Sequence, residues 1–331
     1  MPVEIEPRAP LSAARPTGRP IVIGLVNNMP DSALHATEHQ FSGLLREAAG
    51  SEAVRLRLTS LPELPRSPEA LEHIRRDYWP LEEVLAGTPD ALIVTGTEPR
   101  APVLTEEPYW GRFVELLSFA RSHTLASVWS CLAAHAAVLS LDGIERQRLA
   151  QKRCGVFEHH ILREHALLAG VEAPMPMPHS RWNELSAQSL RSAGYTLLSW
   201  SRETGADAFV REEQSLLLFF QGHPEYEDTT LLKEYRRDVG RYLSGQQPHY
   251  PTLPHGYLSA EGTALLTEFR ERALAERNAA LLQSFPFAPV AALLHNRWRG
   301  AAVALYRNWL EFILEARAAG RVSETVSLTR P

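Results

Sequence analysis

Five short apolar runs punctuate the chain: 21–26 (IVIGLV), 54–61 (VRLRLTSL), 91–94 (ALIV), 125–129 (LASVW) and 215–220 (SLLLFF). Runs of about four to eight apolar residues bounded by turn signals fit strands covered on both faces. Helical spacing fills the intervals. In 109–123, Trp110, Phe113, Val114, Leu117 and Ala120 recur near one face, and 132–141 is Ala-rich. Asp228 is placed to cap a helix reaching Tyr242, with Leu231, Leu232, Tyr235 and Val239 turned inward. Such strand–helix alternation predicts an α/β fold with a doubly wound, mostly parallel sheet.

After Gly245 the texture changes. A Pro-rich loop precedes two helical stretches, 260–282 and 298–319, the second with Val303, Tyr306, Leu310 and Ile313 at helical spacing. The pattern predicts three segments: a Pro-rich, poorly ordered lead-in over 1–20, an α/β domain over 21–245, and a Pro-rich loop and helical extension over 246–331 packed on the core.

The 331 residues suffice to bury a large core, and 34 basic against 39 acidic side chains give a net charge of −5. No global basic field would recruit nucleic acid or anionic lipid. The sequence has no apolar stretch long enough for a transmembrane helix, and its first twenty residues lack the apolar block of a secretory signal, so a cytoplasmic protein is expected. The two cysteines, Cys131 and Cys154, make no disulfide framework and no CxxC or Cys/His zinc pattern. His159, His160 and His165 cluster in sequence, but adjacent histidines point different ways and no fourth ligand is spaced to help. No metal is expected, and His159 and His160 are read as polar lining near a pocket.

Cys131 is the strongest local signal. A strand ends, one thiol follows, and a helix starts at once, the layout of a nucleophile elbow. A helix N-terminus favours thiolate. A cysteine nucleophile needs a base and an orienter for that base. The segment Gln221-Gly222-His223-Pro224-Glu225 supplies both. His223 sits just past the carboxyl end of a buried strand, on the rim where open α/β sheets place ligands. Glu225, two residues on, is within reach of its imidazole. Cys154 has no strand-to-helix context and is not expected to be catalytic.

With these residues in place the chain resembles the homoserine O-acyltransferase family (homoserine O-succinyltransferase or O-acetyltransferase), whose fold is similar to class I glutamine amidotransferases. Several separated motifs carry the resemblance: Asn28-Met29-Pro30 with Thr37-Glu38-x-Gln40, Thr95-Gly96, Tyr109-Trp110, Cys131 with Ala133-Ala134, Lys152 with 155–160 (GVFEHH), 178–181 (PHSR), 222–226 (GHPEY), Arg237-Asp238 and Asn308-Trp309-Leu310. The resemblance implies that Cys131 takes an acyl group from acyl-CoA as a thioester, that His223 is the general base with Glu225 its partner, and that Lys152, Ser180 and Arg237 bind the amino-acid substrate. It further implies a ping-pong reaction with acyl-CoA as co-substrate, no bound cofactor, and a homodimer. The backbone N–H groups of Leu132 and of the 95–97 loop, Thr97 above all, are expected to form the oxyanion hole.

The chain departs from the family pattern at three places. Leu132 stands where Trp is usual, His135 where Gln is frequent, and the loop after Gly96 reads Thr97-Glu98-Pro99-Arg100. Arg100 falls at a position tied to the choice of succinyl or acetyl donor, where an Arg can pair with a succinyl carboxylate or equally face CoA phosphates or solvent, so the acyl donor stays open. Serine in place of homoserine is an alternative acceptor. A glutaminase is the rival reading, against which both glycines of a GxCxG pattern are missing around Cys131.

Overall fold

The computed structural model describes residues 3–6 and 19–321. Its strands are β1 (Val3–Ile5), β2 (Ile21–Val26), β3 (Val54–Thr59), β4 (Ala91–Val94), β5 (Ala126–Ser130), β6 (Gln147–Ile161), β7 (Met175–Glu184), β8 (Thr196–Leu197), β9 (Ser199–Ser201), β10 (Gly205–Ala206), β11 (Ala208–Glu212) and β12 (Leu216–Phe220). Its helices are α1 (Leu34–Ala49), α2 (Pro68–Asp77), α3 (Leu81–Ala86), α4 (Trp110–His123), α5 (Leu132–Asp142), α6 (Ala187–Ser192), α7 (Thr230–Leu243), α8 (Ala260–Ala275), α9 (Phe287–Ala291) and α10 (Arg299–Ala318).

The main sheet runs β1-β3-β2-β4-β5-β12-β11-β8. Its first six strands pair in parallel, and β11 runs antiparallel to both of its neighbours, β12 and β8. Both faces are covered, and the two-residue period of a strand divides its side chains between them. In β4, Ala91 and Ile93 join one core while Leu92 and Val94 join the other. In β12, Leu216, Leu218 and Phe220 face the first core, Leu217 and Phe219 the second. α1 and α10 cover the first face, through Phe41, Leu44, Leu45, Tyr306, Trp309 and Ile313, and α4 and α5 cover the second. The last helix of the chain is therefore one layer of the central sandwich. A third apolar cluster joins α7 to α8, α9 and the 3-10 turn at Ala279–Ser284. Among the described residues, no helix is long and apolar enough to cross a membrane.

Three differences from the sequence expectation stand out. The lead-in contributes Val3–Ile5 as an edge strand paired with Val54–Leu56, so these residues are not disordered. The rest of its expected disorder, over 7–18, lies outside the described residues. The helix expected over 260–282 stops at Ala275 and gives way to the 3-10 turn. Most consequential is the second sheet, β10-β9-β6-β7. β6 buries only part of its length, and β7 begins MPMP. Neither has the continuous apolar run of a buried strand, and proline ordinarily argues against a ladder.

Gly155 in β6 anchors the Pro-rich loop. Its φ is +143°, and a Cβ would lie 2.3 Å from the carbonyl oxygen of His255. His255 N–H donates to Cys154 O (2.9 Å), and Val156 N–H donates to His255 O (2.7 Å). Gly155→Ala must strain or push away that loop. The expected cost is about 1–3 kcal/mol, read by chemical denaturation; an unchanged midpoint would show the contact to be energetically idle.

Candidate active site

The parallel register of β5 and β12 pairs Ser130 with Phe220, so both strands end at the same edge of the sheet. Each is followed directly by a segment carrying a functional group. Cys131 is at φ 52°, ψ −112°, one of two non-glycine residues with positive φ among those described. A branched or bulky residue rarely adopts this conformation, and it lifts the thiol out of the strand line as in a nucleophile elbow. The Cys131 N–H donates to Phe220 O (2.8 Å), locking the elbow to the neighbouring strand.

His223 stands on the other side of that junction. Its N–H donates to Pro178 O (2.8 Å), and the preceding Gly222 N–H donates to the buried carboxylate of Asp207 (2.7 Å). Nδ1 lies 2.8 Å from Glu225 Oε1, and Tyr226 stacks on the imidazole at 4.2 Å between centroids. Trp298 Nε1–H and Asn296 Nδ2–H both donate to Tyr226 O (2.8 and 3.2 Å), so the C-terminal extension pins the segment from behind. Burial opposes a charge on His223. The Glu225 carboxylate, the Cys131 sulfur and hydrogen bonds to both outweigh it and raise the imidazole well above its usual range.

Lys152 of β6, Ser180 of β7 and Arg237 of α7 line the same cavity of about 220 Å³ as Cys131, His223 and Glu225. Their acidic partners have no assigned role in the sequence analysis: Glu234 and the buried Asp238 line the cavity. Glu234 accepts hydrogen bonds from Ser180 Oγ and from Tyr226 OH (2.9 Å). Asp238 holds Lys152 Nζ at 2.6 Å and the Arg237 guanidinium at 3.3 Å. A signal was present: 234, 237, 238 and 241 follow the spacing of one helical face. Burial works against the Lys152 ammonium, yet Glu234 and Asp238 raise its pKa above the ordinary lysine value. Cys154 lies outside this cavity, and burial pushes its thiol up to about 12.

A profile of the family described as homoserine O-succinyltransferase matches residues 5–319. The chain belongs to that family. It is 45% identical over 292 residues to a homoserine O-succinyltransferase of Rhodopseudomonas palustris, covering 88% of each chain. It is 44% identical over 313 residues to one of Bradyrhizobium japonicum, covering 93% of this chain and 95% of that one. In fold it is similar to a glutamine amidotransferase from Thermotoga maritima (TM-score 0.50, 12% identity), covering 90% of this chain and 100% of that one. The amidotransferase-like α/β architecture expected from the sequence is thus present.

The chain's departures from the family pattern have local explanations. His135 is fully buried and holds Gln221 Oε1 at 3.0 Å, tying α5 to the His223 segment. Burial and then the charge of Arg181 push its imidazole down to about 3, so it donates as a neutral ring. Leu132 and Thr97 both line the Cys131 cavity. Leu132 opens α5, where an N–H has no partner within the helix. Gly96 permits the approach of the Thr97 loop, since a Cβ there would lie 3.0 Å from Leu132 N and 2.7 Å from Leu132 Cβ. Asn28 holds that loop by donating from N to Thr95 Oγ1 (2.8 Å) and from Nδ2 to Thr95 O (3.2 Å).

Arg100 is exposed and is not brought to the Cys131 cavity. It lines a larger neighbouring cleft of about 780 Å³ that shares Pro30, Thr97 and Glu98 with the cavity. The histidines also require correction. His159 is fully buried instead of lining the pocket, His160 is exposed, and His165 caps a 3-10 turn by accepting from Leu167 N (3.2 Å). His159 faces His179 at 3.3 Å between Nε2 atoms, beside Asp207. Arg181 Nε–H donates to His179 Nδ1 (3.2 Å), which leaves the ring proton on Nε2 and no free lone pair for a cation. Burial lowers the pKa of both imidazoles, which favours neutral rings within this hydrogen-bonded network. In a second group, His35–Glu38–His73, both ring nitrogens of His73 are engaged by carboxylates, Glu38 at 2.7 Å and Asp77 at 2.8 Å.

Two outcomes follow from this geometry. Iodoacetamide near neutral pH should alkylate Cys131 and spare Cys154, read by peptide mass spectrometry; equal labelling would contradict the assigned environments. Glu225→Gln should lower the pKa of His223, read by NMR titration of its ring. Because the folded-state pKa is raised, His223 contributes stability fully below its unfolded value of about 6.5, and loses it as pH rises through the raised value. Denaturation of the wild type across that window should show the loss, and Glu225→Gln should flatten it.

Proposed function

We propose that the protein transfers the succinyl group of succinyl-CoA to the hydroxyl of homoserine through an acyl-enzyme on Cys131. The observation that carries this reading is the meeting of Cys131, His223 and Glu225 with Lys152, Ser180, Glu234, Arg237 and Asp238 in one cavity, in a chain of the homoserine O-succinyltransferase family. The cations and carboxylates of the cavity suit a zwitterionic amino acid, and the thiol and imidazole in the same cavity suit acyl transfer.

In the first half-reaction the Cys131 thiolate attacks the thioester carbonyl. The N–H groups of Leu132 and Thr97 receive the oxyanion, a role worth about 3 kcal/mol per donor. The carbon–sulfur bond to CoA breaks, the leaving thiolate takes the proton of His223, and a thioester remains on Cys131. The larger cleft, which shares a wall with the cavity, accommodates the CoA arm. In the second half-reaction Arg237 binds the homoserine carboxylate, with Lys152 and Ser180 completing the subsite. Acylation has removed the negative charge of the sulfur, one of the interactions that raises the imidazole pKa, so neutral His223 accepts the hydroxyl proton. The oxygen attacks the thioester, the Cys131 thiolate departs, and the protonated imidazole faces it again. Glu225 holds the ring in the tautomer this cycle needs.

Incubation with succinyl-CoA and no acceptor should give a succinyl adduct by intact-protein mass spectrometry, absent in Cys131→Ala and discharged by homoserine. His223→Ala should lower turnover by about 10²–10⁴-fold. Absence of a Cys131-dependent adduct, or ammonia release from glutamine in its place, would overturn the reading.

A further inference from the structure

We propose that Arg241 selects the acyl donor, binding the distal carboxylate of the succinyl group in exchange for Glu98. The inference rests on the succinyl-transfer reading above and adds the residue that recognises the donor.

One cation of the cavity is held loosely. Lys152, Arg237, Arg241 and His223 line the cavity together with Glu98, Glu225, Glu234 and Asp238. Lys152 is held by Asp238 at 2.6 Å, and Arg237, assigned above to the homoserine carboxylate, touches it at 3.3 Å. Arg241, one helical turn beyond Arg237, keeps its Nη1 3.9 Å from Asp238 Oδ1, beyond hydrogen-bonding distance. Its nearer acidic partner is Glu98 of the Thr97 loop, reached by Nη2 at 3.3 Å. That contact is long for a charge-assisted bond. The Glu98 side chain is 62% exposed and Arg241 is 35% exposed, and ion pairs of this kind are weak and easily exchanged.

The donor supplies a group that can replace Glu98. A hydroxy amino acid is a zwitterion and adds no net charge. Succinyl-CoA brings to the reacting end one further carboxylate, absent from acetyl-CoA. A guanidinium offers two parallel N–H donors to such a group, a better match than its single contact to Glu98. Position supports the exchange. Glu98 lines both the Cys131 cavity and the larger cleft, so the Arg241–Glu98 pair stands where the two meet. Arg100 lines only the cleft.

The test compares succinyl-CoA with acetyl-CoA in forming the Cys131 adduct and in turnover with homoserine. Arg241→Gln should lower kcat/KM for succinyl-CoA by about ten- to a hundredfold, the usual effect of losing a hydrogen bond to a charged group, and leave acetyl-CoA within about twofold. The acetyl arm also reports on folding. Glu98→Gln should lower the KM for succinyl-CoA, because a competing carboxylate is gone. Arg100→Gln should leave the donor ratio unchanged. An unchanged succinyl-to-acetyl ratio in Arg241→Gln would overturn the assignment, as would a parallel loss with both donors, which would place Arg241 on the acceptor. A ratio that follows Arg100 would overturn it too. A wild type that forms no succinyl adduct would instead defeat the underlying reaction, a result distinguishable from the others.

Discussion

The site depends on one backbone pairing. β5 and β12 lie side by side in parallel, and the Cys131 N–H extends their ladder by one hydrogen bond to Phe220 O (2.8 Å). Two segments ninety residues apart in sequence are thereby brought to one edge of a buried sheet. The strained backbone of Cys131 persists because its surroundings over-determine it. The strand before it is buried throughout, and the helix after it packs on the second core. A thiol and an imidazole held this way need little reorganisation to act together.

Around this junction the protein spends its buried polar groups on position. Asp207 holds Gly222, His135 holds Gln221, and Trp298 and Asn296 hold the carbonyl of Tyr226. The C-terminal region is therefore part of the framework around the candidate site as well as of the core, since α10 also covers one face of the sheet. Buried ionisable groups are costly unless paired. Lys152 meets that requirement with Asp238, and Glu234 accepts from Ser180 and Tyr226, so this part of the cavity lining is an interlocked polar set.

Much of this was legible in the chain. Four-residue apolar runs such as ALIV revealed the buried strands, because a strand covered on both faces has no polar side to show. Cys131 and the His223–Glu225 pair were legible because their chemistry requires a strand end followed at once by a turn or helix. The second sheet was not legible. Its strands are partly exposed, and β7 carries prolines at a sheet margin where the ladder tolerates them. The carboxylates of α7 were written in its helical spacing, but spacing names a face without saying what it meets.

The sequence alone determined which residues are candidates for chemistry and which segments must be buried, since residue type and period fix hydrophobic free energy and local geometry. Tertiary structure decided which charges share a cavity. It placed Glu234 and Asp238 against Lys152, Ser180 and Arg237, set Arg241 against Glu98, and moved Arg100 into the neighbouring cleft. The physical reason is that electrostatic interaction depends on distance and on exclusion of water, and both are set only when separate parts of the chain pack together.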